Sequence, residues 1–239
     1  MFVVGATGET GRRVVAQLRA AGYAVRAGVR DVRKAQSLGL ALLPGVELVH
    51  ADVTEGVDAL VTAMGDADAV VCATGFTPSF NLGKDNPKAV DGQGTIDLID
   101  AATRTGKVSR FVLITSLLTN APAIGQAQND NYRFLNALGG ILDQKRRAEI
   151  HLESSGLTWT VIRPGGLSND PPSTTGGAIV GPADTFLGLP SDAGREVSRD
   201  TVAELAVAAL SDANARFKIV ELVANPAQPP LARDAFFKL

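Results

Sequence analysis

The sequence has little of several residue types on which common classes of protein depend. It has one cysteine in 239 residues, Cys72, which lies in the apolar run 69–73. A disulfide framework and a cysteine-based zinc site are therefore excluded, and a buried thiol in a reducing compartment is expected. The two histidines, His50 and His151, stand far apart in sequence, so neither a histidine metal site nor a Ser-His-Asp triad is indicated.

An excess of one charge and long apolar runs are also missing. The formal net charge is −2, which gives no general attraction to nucleic acid or to an acidic membrane surface. No apolar run approaches the ~20 residues that a membrane-spanning helix requires, so a soluble protein is expected. No signal peptide precedes the first strand pattern, although a targeting segment removed before residue 1 would leave no trace.

What the sequence does have is an alternation of strand and helix patterns with short connections, which indicates parallel βα units. The pattern predicts one doubly wound, mostly parallel α/β sheet of the Rossmann type over residues 1–239. Predicted strands are 2–4, 24–29, 46–50, 67–73, 110–115, 157–162 and 217–223, and predicted helices are 10–21, 32–38, 54–64, 89–105, 141–155 and 200–211. Three stretches lack periodicity. They are the loop 75–87, a candidate substrate loop at 117–136, and 164–195, which with the residues to 198 is predicted to form a small C-terminal substrate cap.

The most specific motif is GATGETG at residues 5–11, which follows an apolar run and precedes a helix pattern. Glycines three residues apart let backbone N–H groups converge on an anion at the positive end of a helix. The order strand, glycines, helix therefore predicts a dinucleotide-binding loop rather than an ordinary glycine-rich turn. The predicted pyrophosphate site consists of Gly5, Ala6, Thr7, Gly8, Glu9, Thr10 and Gly11.

The end of the second predicted strand carries positive charge. NAD-binding proteins of this fold usually place an acidic residue there for the ribose 2′-OH. Here Arg30 follows the strand, with Arg33 and Lys34 close behind, and arginine suits the 2′-phosphate of NADP because it binds phosphate bidentately. NADP(H) is therefore predicted in preference to NAD(H). The alternative is a solvated helix start in which the arginines partner Asp31.

Two further strand ends carry candidate cofactor residues. Asp52 and Val53 follow the third strand, where the carboxylate either accepts a hydrogen bond from the adenine amino group or caps the next helix. The fourth strand ends in small residues that let the backbone approach the cofactor, followed by an aromatic ring that adds packing: Ala73, Thr74, Gly75 and Phe76. These positions are expected to converge, because ligands of such sheets bind at the carboxyl ends of the strands.

The chain resembles the short-chain dehydrogenase/reductase superfamily, in particular its atypical NAD(P)-binding branch. The resemblance covers residues 2–223 and rests on the motifs GATGETG, VRDVRK, ADVT, CATG, VDGQGTIDLIDAA, FVLITS, TVIRPGGL and SRDTVAELAVAAL. It is greatest to plastid and cyanobacterial members related to a chloroplast import-associated protein and to flavin/biliverdin reductases, which implies a location in the chloroplast stroma. It also implies that Arg163 anchors a turn lining the nicotinamide, with burial of the arginine stem as the alternative. That turn comprises Pro164, Gly165, Gly166 and Leu167.

The resemblance further implies that the usual acid–base pair is incomplete. Mainstream members use Tyr-x-x-x-Lys, in which the lysine lowers the tyrosine pKa and binds the nicotinamide ribose. Lys145 matches the lysine, but Ile141 stands at the tyrosine position and has no proton to give. Tyr132, on the irregular stretch, is a weak candidate for a substitute.

Two other positions match catalytic regions of the superfamily. Ser116, with Thr115 beside it, matches the region of the catalytic serine; the alternative is that these hydroxyls satisfy backbone groups at the strand end. Asp91 stands where the superfamily usually has asparagine, and it either takes part in a water relay or caps the following helix.

Loss of the tyrosine favours one class of reaction. Hydride transfer from NADPH to a flat conjugated acceptor, flavin- or quinone-like, needs little from the protein besides alignment of two rings. A simple alcohol–ketone dehydrogenase is not expected, since it needs a proton donor at the carbonyl oxygen. The alternative is a non-catalytic NADP(H)-binding protein that senses redox state or acts as a scaffold. A small-molecule substrate or electron acceptor is the expected partner, no nucleic acid is expected, and protein partners are left open.

Overall fold

A computed structural model describes residues 1–76, 86–137, 139–186 and 196–239. Valine-, isoleucine- and leucine-rich segments form the strands of its main sheet, and most are buried on both faces, as parallel strands between two layers of helices must be. The strands are β1 (Phe2–Val4), β2 (Val25–Val29), β3 (Val46–His50), β4 (Ala69–Cys72), β5 (Arg110–Ile114), β6 (Trp159–Pro164), β7 (Gly166–Ser168), β8 (Gly177–Pro182), β9 (Glu196–Ser198) and β10 (Lys218–Asn225).

The main sheet has the strand order β3-β2-β1-β4-β5-β6-β10-β8. Its strands run parallel except at one edge, where β8 pairs antiparallel with β10. The strand order reverses at β1, so the crevice beyond the carboxyl ends of β1 and β4 is where a ligand is expected. The predicted doubly wound, mostly parallel sheet is confirmed, and β7 and β9 form a separate parallel pair outside it.

Helices cover both faces of the sheet. The helices Glu9–Ala20 and Arg199–Ser211 pack together on one face. The helices Val57–Met64, Thr95–Thr105 and Ile141–Glu153 cover the other. Among the described residues, no helix has the length and apolar character that crossing a membrane requires. The helices are α1 (Glu9–Ala20), α2 (Val32–Ser37), α3 (Val57–Met64), α4 (Thr95–Thr105), α5 (Asp130–Asn136), α6 (Ile141–Glu153), α7 (Pro172–Thr175) and α8 (Arg199–Ser211).

Two stretches that the sequence predicts to be irregular contain regular elements. The stretch 117–136 contains a 3₁₀ turn at Ala121–Ile124 and the whole of α5, and 164–195 contains β7, α7 and β8. The strand β8 was missed because its six residues begin and end with glycine and proline and gain their hydrogen bonds from a distant strand. Residues 77–85 of the predicted loop and 187–195 of the predicted cap lie outside the described residues.

Candidate cofactor-binding site

The glycine loop between β1 and α1 is compact and leaves no room for side chains. Gly5 has φ +79°, and a Cβ there would lie 2.8 Å from the Ala73 carbonyl oxygen. A Cβ on Gly11 would lie 2.1 Å from the Gly5 carbonyl oxygen, so α1 starts directly against the loop backbone. Gly8 is the N-cap of α1 and offers no side-chain acceptor to it. The first N–H groups of α1 therefore lack a side-chain cap and suit an anion.

A cavity of about 480 Å³ opens beside this loop at the carboxyl ends of β1, β2 and β4. This volume is typical of a small-molecule site. The structure therefore brings predicted residues from the glycine loop and three strand ends into one crevice. The predicted cofactor residues in its wall are Gly5, Thr7, Gly8, Glu9, Arg30, Lys34, Val53, Ala73, Thr74, Gly75 and Phe76.

Some wall residues were not predicted because they carry no polar group that points to chemistry. They are Val4, Gly28, Val29, Ala51 and Val90. Most of them lie at or next to strand ends, and that position was the only sequence signal available for them. Gly28 is the informative case, since a Cβ there would lie 3.0 Å from the Phe2 ring and from the Ala51 methyl group.

Other predicted residues support the cavity without lining it. Ala6 and Gly11 are buried in the loop and at the start of α1, with Thr10 half-buried between them. Asp52 caps a 3₁₀ turn: its Oδ1 accepts hydrogen bonds from the backbone N–H and the hydroxyl of Thr54, both at 2.9 Å. The capping alternative describes its contacts here, and the adenine hydrogen bond stays a prediction.

The basic end of the cavity is formed by Arg30 and Lys34, which are both exposed and both in its wall. Arg33 is also exposed but lies outside the wall. Asp31 is the N-cap of α2, where its Oδ1 accepts a hydrogen bond from the Lys34 backbone N–H at 3.0 Å. Two cations thus stand at the end of β2, where the sequence predicts the ribose phosphate.

Lys145 and Asp91 form an ion pair beside Gly75, next to the cavity wall. Lys145 Nζ lies 2.6 Å from Asp91 Oδ1, and the Asp91 side chain is fully buried, although the approach lacks the alignment of a regular hydrogen bond. Asp91 Oδ2 accepts a hydrogen bond from the Phe76 backbone N–H at 3.0 Å. Asp91 lies within a π-helical turn, Lys88–Gly94, where it caps nothing, so the helix-cap alternative is wrong.

The Tyr132 hydroxyl is hydrogen-bonded to the carboxylate of Asp143, not to that of Asp91. The hydroxyl donates a hydrogen bond to Asp143 Oδ1 at 2.6 Å, and the side chain packs between α5 and α6 with Leu142. Burial, followed by the hydrogen bond and charge of Asp143, raises the pKa of Tyr132 to about 12. A catalytic phenol needs the opposite shift. Ile141 is the first residue of α6 and is half-buried.

Thr115 belongs to a buried ionic cluster rather than to the cavity wall. Its hydroxyl donates to Glu149 Oε1 at 2.7 Å, and Arg163 donates to both oxygens of the same carboxylate. Burial would lower the pKa of Arg163, but Glu149, Asp184 and Glu221 raise it overall. These ion pairs fix the end of β6, which supports the anchoring role predicted for Arg163.

The remaining predicted residues lie outside the cavity wall. Ser116 is half-buried just after β5. The predicted nicotinamide turn spans the end of β6 and most of β7, and its members are Pro164, Gly165, Gly166 and Leu167. Cys72 is buried as expected, and burial raises the pKa of its thiol. In the described ranges no cluster of carboxylates, histidines and cysteine could hold a metal ion.

Comparison with known proteins agrees with this geometry. A sequence profile of the family described as NAD(P)H-binding matches residues 5–213. An uncharacterized chloroplastic protein of Arabidopsis thaliana is 46% identical over 230 residues, which are 96% of this chain and 78% of the relative. The chloroplastic protein TIC 62 of Pisum sativum is 36% identical over 246 residues, which are 96% of this chain but only 43% of that protein.

Some relatives carry the names of enzymes, and these names differ: one is an uncharacterized sugar epimerase, YhfK, of Bacillus subtilis, which is 31% identical over 93% of this chain and 92% of the relative. Sanguinarine reductase of Eschscholzia californica is 30% identical over 264 residues, and the match covers 95% of this chain and 89% of the relative. Among solved structures, the oxidoreductase ylbE from Lactococcus lactis superposes with a TM-score of 0.78 at 20% identity and covers 99% of this chain and 94% of that one. At that identity the match shows the fold alone.

Proposed function

This chain belongs to the NAD(P)H-binding family, and from that premise we propose that it binds NADP(H) in preference to NAD(H) and reduces a flat conjugated acceptor, flavin- or quinone-like. The observation that carries the proposal is the crevice that joins the glycine loop to the cations at the end of β2, with the Lys145–Asp91 pair next to its wall at Gly75. One relative, sanguinarine reductase, is named as a reductase, which supports the redox part of the proposal.

Each part of the crevice has a distinct task in this proposal. The backbone N–H groups of residues 5–11 bind the pyrophosphate, and Arg30 with Lys34 binds the 2′-phosphate. Lys145 binds the nicotinamide ribose, and Asp91 holds its ammonium in place while also fixing the Phe76 backbone. When bound, the nicotinamide supplies the hydride.

The side chains near Lys145 favour an acceptor that needs no directly bound proton donor. Ile141 carries no ionisable group, and the Tyr132 hydroxyl is held by Asp143. A conjugated acceptor spreads the arriving negative charge over its ring system, so a nearby ammonium is enough to stabilise it. A ketone concentrates that charge on one oxygen and requires an acid there.

The test is a pair of measurements on the purified protein. NADPH oxidation is followed by its absorbance with a panel of free flavins and quinones, and binding of NADPH and NADH is measured by titration in parallel. We expect at least one conjugated acceptor to oxidise NADPH well above background, and simple ketones to give none. Tight NADPH binding with no active acceptor would refute the reductase, and absence of NADPH binding would refute the whole proposal.

The second candidate is a non-catalytic NADP(H)-binding protein. The observation that favours it is that Ile141 stands at the tyrosine position and that the Tyr132 hydroxyl is hydrogen-bonded to Asp143. The chloroplastic relatives support a location in the chloroplast stroma, which a fluorescent fusion would test. A small-molecule acceptor is the partner proposed for the reductase.

A further inference from the structure

Arg13 connects the glycine loop to two other parts of the molecule. Its Nη1 donates hydrogen bonds to the Glu9 carbonyl oxygen at 2.8 Å and to Glu9 Oε2 at 3.0 Å. Its Nε lies 3.2 Å from Asp200 Oδ1 at the start of α8, and its Nη2 donates a longer bond of 3.5 Å to the Asn169 carbonyl oxygen. One guanidinium, 16% exposed, thus joins α1, α8 and the segment after β7.

Arg12 provides a natural comparison. It also pairs with Glu9, with 2.6 Å between its Nη2 and Glu9 Oε2, but its side chain is 37% exposed. Within the described ranges it forms no hydrogen bond or ion pair with α8 or with the β7 segment. Arg12 and Arg13 therefore offset the same carboxylate. Only Arg13 extends that contact beyond α1.

The segment that Arg13 reaches is held from a second side. Arg199 donates from Nη1 to the Leu167 carbonyl oxygen and to Asn169 Oδ1, both at 3.1 Å. The Ser198 hydroxyl donates to the Asp170 carbonyl oxygen at 2.7 Å. The backbone pairing of β7 with β9 positions residues 167 and 168. Polar and charged groups on α1 and at the start of α8 add contacts along 167–170, where β7 is largely exposed.

The carboxylate of Glu9 places one end of this arrangement in the cofactor crevice, since Glu9 is part of the cavity wall. A pyrophosphate bound at residues 5–11 would add negative charge next to Glu9. That charge would compete with Glu9 for the Arg13 guanidinium, which also contacts Asp200 and Asn169. Asn169, whose carbonyl oxygen accepts the bond from Arg13, lies two residues after Leu167.

We propose that Arg13 is a positioning residue that transmits cofactor binding at residues 5–11 to the segment 167–170. The inference rests on the proposed function, because it requires NADP(H) in the crevice. In this role Arg13 sets the position of residues 167–170, which begin at the last residue of the predicted nicotinamide turn, according to whether the pyrophosphate is present.

The experiment is hydrogen–deuterium exchange with and without NADP⁺ on the wild type and on the matched variants Arg13→Lys and Arg12→Lys. Both variants keep the positive charge, but lysine cannot reach four acceptors as the guanidinium does. In the wild type, NADP⁺ should slow exchange at residues 6–12 and at 166–170. In Arg13→Lys, the slowing at 166–170 should fall about fivefold, the low end of typical coupling between sites, while that at 6–12 persists. Arg12→Lys should behave like the wild type.

The outcomes separate the two proposals. Wild-type protection at 6–12 alone, or undiminished protection at 166–170 in Arg13→Lys, would overturn the role of Arg13 while leaving cofactor binding intact. No NADP⁺ response anywhere would overturn the proposed function and this inference with it. If Arg13→Lys does not fold, Asp200→Asn removes the α8 partner of Arg13 and should weaken the response at 166–170 in the same direction; an unchanged response would contradict the proposal.

Discussion

Arg30 and Arg33 are both exposed arginines near the start of α2, but only Arg30 lies in the cavity wall. We expect Arg30→Asp to weaken NADP⁺ binding by at least about tenfold, because a cation that binds phosphate is replaced by a repelling carboxylate. NAD⁺ binding should change far less, since NAD⁺ lacks the 2′-phosphate. Calorimetric titration with both cofactors measures the two effects.

Arg33→Asp is the matched control, because it makes the same charge change outside the wall. It should lower the affinity for NADP⁺ much less than Arg30→Asp does. Equal weakening of NADP⁺ and NAD⁺ binding by Arg30→Asp would show that Arg30 supports the fold of the site rather than the recognition of a phosphate.

Tyr132 offers a test of whether another phenol replaces the one missing at Ile141. We expect Tyr132→Phe to leave the rate of NADPH oxidation within about twofold, because the hydroxyl donates to Asp143 and its pKa is raised to about 12. The variant should lose about 1 kcal/mol of stability with the hydrogen bond. Stopped-flow rates and thermal unfolding measure these two quantities, and a rate loss of a hundredfold would identify Tyr132 as a proton donor.

Gly11 shows how one residue determines the junction between two elements. Replacing a glycine inside a helix by alanine usually stabilises the helix by up to ~1 kcal/mol. Here a Cβ would lie 2.1 Å from the Gly5 carbonyl oxygen, so we expect Gly11→Ala to destabilise the protein by at least ~2 kcal/mol and to abolish cofactor binding. Chemical denaturation gives the free energy of unfolding.

Gly8→Ala, in the same loop, should affect cofactor binding without a large effect on stability. A Cβ there would lie 3.1 Å from the Gly5 carbonyl oxygen, which a small shift can relieve, but Gly8 lines the cavity. The variant should therefore stay close to wild-type stability and still bind NADP⁺ more weakly. Normal stability of Gly11→Ala would contradict the tight junction between loop and helix.

The sequence predicts best those helices and strands whose ends are set by residues within or next to them. The strand at Val46–His50 was predicted to the residue, and α1 and α8 to within one residue at each end. Turn and cap residues mark these ends: Pro44-Gly45 precedes the strand, Gly22 follows α1, and Ser198 caps α8. The strand β8 and the helix α5 were missed. Each is short, and β8 is stabilised by pairing with β10 rather than by a pattern of its own.

The residues of the candidate site also fall into those that their own chemistry predicts and those that only the fold brings there. Polar and glycine positions such as Thr74, Gly75 and Arg30 were predicted because their chemistry marks a phosphate or a close backbone approach. Wall residues such as Val90 have apolar side chains that do not indicate a ligand, so they were not predicted. The ion pair between Asp91 and Lys145 could not be predicted from the sequence either. The two residues meet only because α6 packs beside the π-helical turn.

At the scale of the whole molecule, buried charge connects the end of the sheet to the segment after β8. Arg163 and Glu221, on neighbouring strands, are each almost fully buried, and Asp184 pairs with Arg163. Both oxygens of Glu221 accept backbone hydrogen bonds, from Asp184 N–H at 3.0 Å and from Phe186 N–H at 2.8 Å. Glu221 holds the turn at 184–186 against β10, so the protonation of Glu221 should be visible in global stability.

The pH dependence of unfolding tests this cluster. Burial raises the pKa of Glu221 above the ordinary 4.5, against smaller opposing effects of its hydrogen bonds and of Arg163. The folded state therefore binds this proton more tightly than the unfolded chain, so the contribution to stability is complete below pH 4.5 and is lost as the pH rises through the raised pKa. If the pKa of Glu221 is higher by one in the folded state than in the unfolded chain, its protonation contributes about 1.4 kcal/mol to the free energy of unfolding at low pH.

We therefore expect the free energy of unfolding of the wild type, minus that of Glu221→Gln, to fall as the pH rises from 4.5 towards neutrality. Glutamine stays neutral at every pH and so cannot contribute to this slope. Urea denaturation at a series of pH values measures the difference, and Glu196→Gln, the same change at an exposed position, is the control. Parallel curves for the wild type and Glu221→Gln would show that the buried carboxylate does not take up a proton on folding, and that its backbone hydrogen bonds and Arg163 outweigh its burial.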